Sequence, residues 1–282
     1  MINIRIIIFF FILLLFIIYT YRVENFANNI FDQIGNKLVF EKNSPYQKIE
    51  VYDFTDNKYG INRCLILDKE IQLCKSHEKE YHEFITHLPI YYIQNLERVL
   101  IIGGGDCMVL REIMKYNTIK KVDMLELDQE VINVSKKYFG QSTFNKDNRV
   151  NILIGDAQNT IDQLDNNYYD LVILDLTEDG LNNSPLDSTN FFEKCKNKLK
   201  KDGILVKNGG NLENYIRLSN IFSKIDIFGI ELKIFLIYKY NFIICSDTVR
   251  FRRSTIKNDI LLNLNLSKYN YKNHKNYFFN KK

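Results

Sequence analysis

The chain is poor in the features that most quickly mark a specialised protein. No two of its five cysteines (64, 74, 107, 195 and 245) form a C-x-x-C pair, and their number is odd and their spacing wide. Neither a zinc knuckle nor a disulfide framework is supported, and the expectation is reduced thiols in a cytosol-facing domain. No run of five basic residues occurs, and a net charge of +4 is small and scattered, with much of the excess in the last thirty residues. That excludes an electrostatic nucleic-acid binder. Three prolines and no tryptophan, beside abundant Asn, Lys, Ile and Tyr, reflect the base composition of a genome rather than a function. There is no internal repeat.

What the chain does have begins at its N-terminus. Ile6 to Ile18, "IIIFFFILLLFII", contains no polar residue, and Tyr19 to Tyr21 extend it to an aromatic edge. Sixteen helical residues span about 24 Å, slightly short of a bilayer core of about 30 Å; Met1, Ile2 and Ile4 lengthen the run, with Arg5 snorkelling. No small-x-small cleavage site follows. The reading preferred over a cleaved signal peptide is an uncleaved anchor over residues 1–24, meeting the membrane through residues 1–21. Arg5 and Arg22 flank it too evenly to orient it.

Residues 46–73 alternate apolar and polar in short runs separated by turns ("YQKIEVYDF", "INRCLILD", "KEIQL"), which predicts three or four hairpin strands. "SHEKEYHEFITHLPIYYI" places Tyr81, Phe84, Ile85 and Leu88 on one helical face, stopped by Pro89. From Glu97 onward apolar runs alternate with amphipathic segments. Strands are predicted at Val99–Ile102, Lys121–Glu126, Val150–Ile154, Leu171–Asp175 and Ile204–Val206, with helices near 107–116, 129–139, 157–165, 189–200 and 211–223. The fold class is α/β: a Rossmann-like, doubly wound, mainly parallel sheet with a small N-terminal β-hairpin domain. Ile230–Ile237 and Phe242–Cys245 are candidates for a closing antiparallel pair. The expected domains are a β-hairpin domain with its connecting helix over 38–90, the Rossmann-like domain over 91–250, and a loosely ordered tail over 251–282.

In such a sheet ligands bind at the carboxyl ends of the strands. The first predicted strand ends in Gly103-Gly104-Gly105-Asp106, the second in Glu126, the third in Gly155-Asp156 and the fourth in Asp175, followed by Glu178 and Asp179. Acids at strand ends also serve as helix N-caps, but four in succession are harder to explain by capping. The glycine turn fits neither G-x-G-x-x-G nor a P-loop. Glu126, 23 residues after Gly103, is placed to accept hydrogen bonds from ribose hydroxyls. Asp106 would repel a pyrophosphate and attract an amine or a sulfonium, which disfavours NAD and favours an adenosyl sulfonium compound. An acidic pocket suits decarboxylated S-adenosylmethionine, or a cationic second substrate, better than the carboxylated donor.

The stretches "SPYQKIEVYD", "LILDKEIQL", "HEKEYHEFITHLP", "RVLIIGGGDCMVLREIMKY", "VDMLELDQEVINVSKKYF", "RVNILIGDAQ" and "YYDLVILDLTED" together resemble the spermidine synthase (polyamine aminopropyltransferase) family across roughly residues 40–250. The resemblance implies transfer of the aminopropyl group of decarboxylated S-adenosylmethionine to a diamine or polyamine, with no cofactor and no metal. It implies Asp175 as the catalytic residue. For the donor it implies Gln47 and His82 at the tail and sulfonium, Asp106 at the aminopropyl amine, Glu126 at the ribose, and Asp156 with Ala157 at the adenine, with Gly103 and Gly104 also in the donor-binding set. Gln72, Tyr81 and Glu178 fall on the acceptor side. Family members are typically dimers or tetramers, so a homodimer is expected. A methyltransferase on the same sheet, or a non-catalytic membrane-anchored descendant, are the alternatives.

Several positions depart from the family pattern. Cys107 and Met108 stand where it has two further glycines; their side chains either crowd the donor pocket or point into the helix–sheet core. "DLTEDGLNNSP" and "NGG" at 208–210 depart on the acceptor side. Tyr238 and Tyr240 are candidates to replace a missing aromatic segment, with Phe235 at the aligned position.

Overall fold

The structure is a computed structural model, and it describes residues 36–56, 60–140, 147–177, 184–233, 237–252 and 258–278. Four strands, β1 (Asn36–Asn43), β2 (Lys48–Asp56), β3 (Gly60–Leu67) and β4 (Glu70–Cys74), form an antiparallel sheet in chain order. Asp68 and Lys69 join β3 to β4 with φ of +46° and +73°, the left-handed pair that a tight two-residue hairpin requires. Helix α1 (Glu78–Ile90) then leads into the second sheet, running one residue past the expected stop at Pro89.

The second sheet has seven strands: β5 (Arg98–Gly103), β6 (Lys121–Glu126), β7 (Val150–Ile154), β8 (Tyr169–Asp175), β9 (Leu199–Asn208), β10 (Lys224–Lys233) and β11 (Ile237–Ser246). Their order is β10-β11-β9-β8-β5-β6-β7. β7, β6, β5, β8 and β9 are parallel, and β11 and β10 close the sheet antiparallel. Helices α2 (Met108–Ile113), α3 (Gln129–Phe139), α4 (Ala157–Thr160), α5 (Thr189–Lys198) and α6 (Leu212–Ile221) connect them. The α/β expectation with a small N-terminal β-sheet holds.

The apolar runs are continuous because both faces of this sheet are covered. On β5, Val99 and Ile101 join one core with Leu110 and Ile113 of α2 and Ile132 of α3, while Leu100 and Ile102 join the other with Phe191, Phe192 and Cys195 of α5 and Leu218 of α6. The N-terminal sheet has its own core, in which Ile49, Val51, Leu65 and Leu67 pack on Val131 and Val134 of α3 and on Met108. The strand order reverses between β5 and β8, so the crevice lies where Gly103 is paired with Asp175.

Three expectations are corrected. Cys64 and Cys74 form a disulfide, with Cα atoms 4.0 Å apart. They face each other across β3 and β4, a proximity set by strand register and invisible in sequence spacing; Cys107, Cys195 and Cys245 are free and buried. The membrane-anchor expectation finds no support: no helix among the described residues is long and apolar enough to cross a membrane, and residues 1–24, which carried it, lie outside the described residues. Residues 258–278 are not loose. A short helix α7 (Asp259–Asn263) and a 3-10 turn at Tyr271–Tyr277 pack on the domain, and Leu261, Tyr269 and Phe278 join its core. Aromatic residues spaced without helical or strand periodicity carry that docking, so a periodicity test passes over it.

Candidate active site

Gln47, Gln72, Tyr81, His82, Gly103, Gly104, Asp106, Glu126, Asp156, Ala157 and Asp175 all line one cleft of about 630 Å³ at the carboxyl edge of the parallel strands. Glu178 lies outside the described residues, as do Phe235 and the side chain of Tyr238. The cleft is walled on one side by β3 and β4 of the small sheet and on the other by the ends of β5, β6 and β8.

The glycine turn lets Asp175 and Glu126 approach closely. At Gly103, φ is +80° and a Cβ would lie 2.1 Å from the main-chain oxygen of Asp175. A Cβ at Gly105 would lie 2.8 Å from Oε2 of Glu126. The turn closes with the Gly104 N–H donating to the Asp175 carbonyl at 2.9 Å. Cys107 also takes a left-handed conformation, φ +62°, without being glycine. Neither Cys107 nor Met108 lines the cleft. Cys107 is buried in the core under α2 and Met108 in the core of the small sheet, so the core alternative of the sequence reading is the one realised.

Asp106, Asp175, Tyr81 and His82 form the charged centre. Asp106 accepts from the Met108 N–H through Oδ1 at 2.8 Å, leaving Oδ2 against Nε2 of His82 at 3.1 Å. The Tyr81 hydroxyl donates to Oδ1 of Asp175 at 2.5 Å. His82 is buried, and its Nδ1 donates to the Glu78 carbonyl at 2.6 Å. Burial opposes the imidazolium, but Asp106, Glu78 and Asp175 outweigh it and hold the pKa at about 10. Glu78 stays ionised in turn: burial works against its charge, yet His82 and the paired Arg111 guanidinium (3.0 and 2.7 Å) keep it at about 2. Burial and the charge of Asp106 push Asp175 up to about 6, against the pull of His82 and Tyr81.

The β6–β7 end of the cleft is built on helix starts. Asp128 caps α3 and accepts from Nε2 of Gln47 at 3.1 Å, while its own N–H donates to Oε1 of Glu126 at 2.9 Å. Glu126, buried, is raised to about 7 chiefly by desolvation. Asp156 caps α4, its Oδ1 accepting from the Gln158 N–H at 2.9 Å.

Donor atoms of His82, Asp106 and Asp175 lie within 4.8 Å of one another, near enough to hold a metal, with both ring nitrogens of His82 engaged by the Glu78 carbonyl and Asp106. One cation and two carboxylates suit an ammonium or sulfonium ligand better. Three contributors escaped the strand-end reading. Glu78 and Arg111 act behind His82. Asn208, at the end of β9, holds the main chain next to Asp175: it accepts from the Leu176 N–H at 3.2 Å and donates to the Leu176 carbonyl at 2.5 Å. Reading one strand further for what it ends in would have found Asn208. Tyr240 lines the cleft and meets the Tyr81 ring edge-on at 5.3 Å.

A model of the spermine/spermidine synthase domain matches residues 78–252. The chain is 37% identical over 185 residues to the polyamine aminopropyltransferase of Clostridioides difficile, covering 65% of this chain and 64% of that protein. It is 31% identical over 220 residues to polyamine aminopropyltransferase 1 of Aquifex aeolicus, covering 75% and 77%. The chain thus spans slightly less than two thirds of the first relative's length. Among solved structures it resembles a spermidine synthase in complex with the transition state analogue AdoDATO, with a TM-score of 0.76, 24% identity and coverage of 86% of this chain and 85% of that one. The spermidine synthase of Thermotoga maritima gives a TM-score of 0.74 at 23% identity, covering 86% and 84%. At such identities the likeness is one of fold.

Proposed function

This chain belongs to the spermine/spermidine synthase family, and on that premise we propose that it transfers the aminopropyl group of decarboxylated S-adenosylmethionine to a diamine or other polyamine. The observation that carries the proposal is the pairing of Asp106 with Asp175 at the β5/β8 crevice, one held by imidazolium and the other by a tyrosine. Asp106 holds the donor's amine and would repel the carboxylate of S-adenosylmethionine, which ranks methyl transfer lower. Glu126 takes the ribose hydroxyls, Asp156 and Ala157 the adenine, and Gln47 and His82 flank the donor's tail. Tyr81, Gln72 and Glu178 serve the acceptor.

The chemistry is a displacement at the methylene beside the sulfonium. A C–N bond forms, the C–S bond breaks, and its electron pair leaves on sulfur as the neutral thioether methylthioadenosine. The attacking amine must first lose a proton, because a diamine at neutral pH is protonated. Asp175, ionised at neutral pH, takes that proton or orients the lone pair, for about 10² to 10⁴-fold. Alignment of two cations end to end in the cleft contributes the rest.

Incubating the protein with decarboxylated donor and a polyamine panel tests this by release of methylthioadenosine. The expected result is release with at least one acceptor, and at least a 10²-fold loss in Asp175→Asn. Methyl transfer from S-adenosylmethionine, or no product from a folded protein, overturns the reading. Light scattering of the same preparation tests the homodimer that the family resemblance implies.

A further inference from the structure

Glu83 immediately follows Tyr81 and His82 on α1 but points away from the cleft, because residues two apart on a helix lie about 200° round its axis. It is 2% exposed, and its carboxylate accepts four hydrogen bonds from one short stretch. The Ser267 N–H and hydroxyl reach Oε1 at 3.0 and 2.9 Å, and the Lys268 and Tyr269 N–H groups reach Oε2 at 2.7 and 2.9 Å. Lys268 also pairs with Glu80. The same segment also packs on Phe84 and on the two tyrosines that follow α1. Tyr269 and Tyr277 meet the Phe84 ring edge-on at 5.5 and 4.6 Å. His274 stacks on Tyr91 at 3.8 Å, and its Nε2 lies 2.6 Å from the Tyr92 hydroxyl. Phe278 bridges to Phe228 of β10. This strap, residues 258–278, lies beyond residue 252, where the family-domain match ends.

We infer that the strap, clasped to Glu83, sets the rotation and depth of α1 and so fixes the Tyr81 hydroxyl on Asp175, which makes Glu83 a positioning residue for the proposed transferase. A carboxylate suits that task better than an apolar side chain. It meets three successive main-chain N–H groups at defined angles, so a slip of the helix along the strap breaks charged hydrogen bonds that a greasy contact would merely slide past. The Tyr81–Asp175 contact is short and directional, and a displacement of about 1 Å at the far end of Tyr81 removes it. The groups facing Asp175 are Asp106, His82 and Tyr81. Of these, Tyr81 reaches Asp175 from α1 through one directional bond, while His82 is held separately by the Glu78 carbonyl and Asp106; a small shift of α1 that breaks the Tyr81 bond leaves the charge of Asp106 less opposed at the carboxyl.

This inference rests on the transferase reading, and the variants Glu83→Gln, Glu83→Ala, Tyr81→Phe and the double variant with Glu83→Gln test it. Methylthioadenosine release is measured per folded molecule across pH. Glu83→Gln keeps its size and one acceptor oxygen, and is the variant to rely on if Glu83→Ala fails to fold. The expected result is a roughly 10-fold or greater fall in kcat with donor KM changed less than about threefold, and an acid limb moved to higher pH as in Tyr81→Phe. The double variant is expected to be no slower than Tyr81→Phe alone, because Glu83 acts through that residue. A folded Glu83→Gln with unchanged kcat and acid limb, or losses that multiply in the double variant, overturns the inference. If the wild-type chain releases no methylthioadenosine, the transferase reading fails. The strap inference is then decided by a carbon-13 NMR titration of the Asp175 carboxyl: an upward move in Glu83→Gln supports it and an unmoved titration overturns it.

Discussion

Gly103 and Cys107 are two left-handed residues of one turn with opposite tolerances. Gly103→Ala places a Cβ 2.1 Å from the Asp175 carbonyl at a φ of +80°; a destabilisation of about 2–5 kcal/mol is expected in urea unfolding, from backbone strain and overpacking together. Cys107→Gly relieves a left-handed side chain but removes a buried one, two effects of about 1 kcal/mol each that nearly cancel, so its unfolding midpoint should stay close to wild type. The raised acids set the pH behaviour. Asp175 acts as an anion, so kcat should fall as pH drops through about 6. Glu126, raised from 4.5 to about 7, binds its proton more tightly folded than unfolded. Its contribution of about 3 kcal/mol is full below 4.5 and lost as pH rises through 7. Glu126→Gln should flatten that part of the stability profile. Which acids end the strands was plain from the sequence; that burial would lift two of them was not, because it depends on what packs over them.

At the scale of elements, the parallel strands were legible because an unbroken apolar run between turns has few other readings. Lys121–Glu126 and Val150–Ile154 have the bounds that the pattern predicted, whereas Ile204–Val206 is the centre of a strand that begins at Leu199. The pairing of Cys64 with Cys74 was hidden because a register shift between Leu65 and Ile66 brings Cys74 opposite Cys64, where a regular two-residue hairpin would place Leu73. The strap was hidden because its order comes from aromatic contacts with α1 rather than from its own periodicity. The disulfide closes a loop of about ten residues; reduction, or Cys64→Ser with Cys74→Ser, should lower stability by about 2–3 kcal/mol on the chain-entropy account. Since Gln72, Leu73 and Cys74 line the cleft, the same change should weaken donor binding as measured by calorimetry.

For the whole molecule, the cleft joins two sheets with separate cores, so a ligand that fills it couples them. Methylthioadenosine at about a hundred times its Kd should add about 2.7 kcal/mol of stability, raising Tm by roughly 5–10 °C for a chain of this size. An unchanged Tm at saturation would contradict a site built from both sheets. The three unpaired thiols extend this to kinetics. Cys107 lies in the core on one side of the parallel sheet, Cys195 and Cys245 in the core on the other, and burial pushes all three thiols upward, Cys107 to about 12. A thiol-reactive dye therefore finds nothing to attack until a layer parts, and the cysteine it marks first dates and locates that opening.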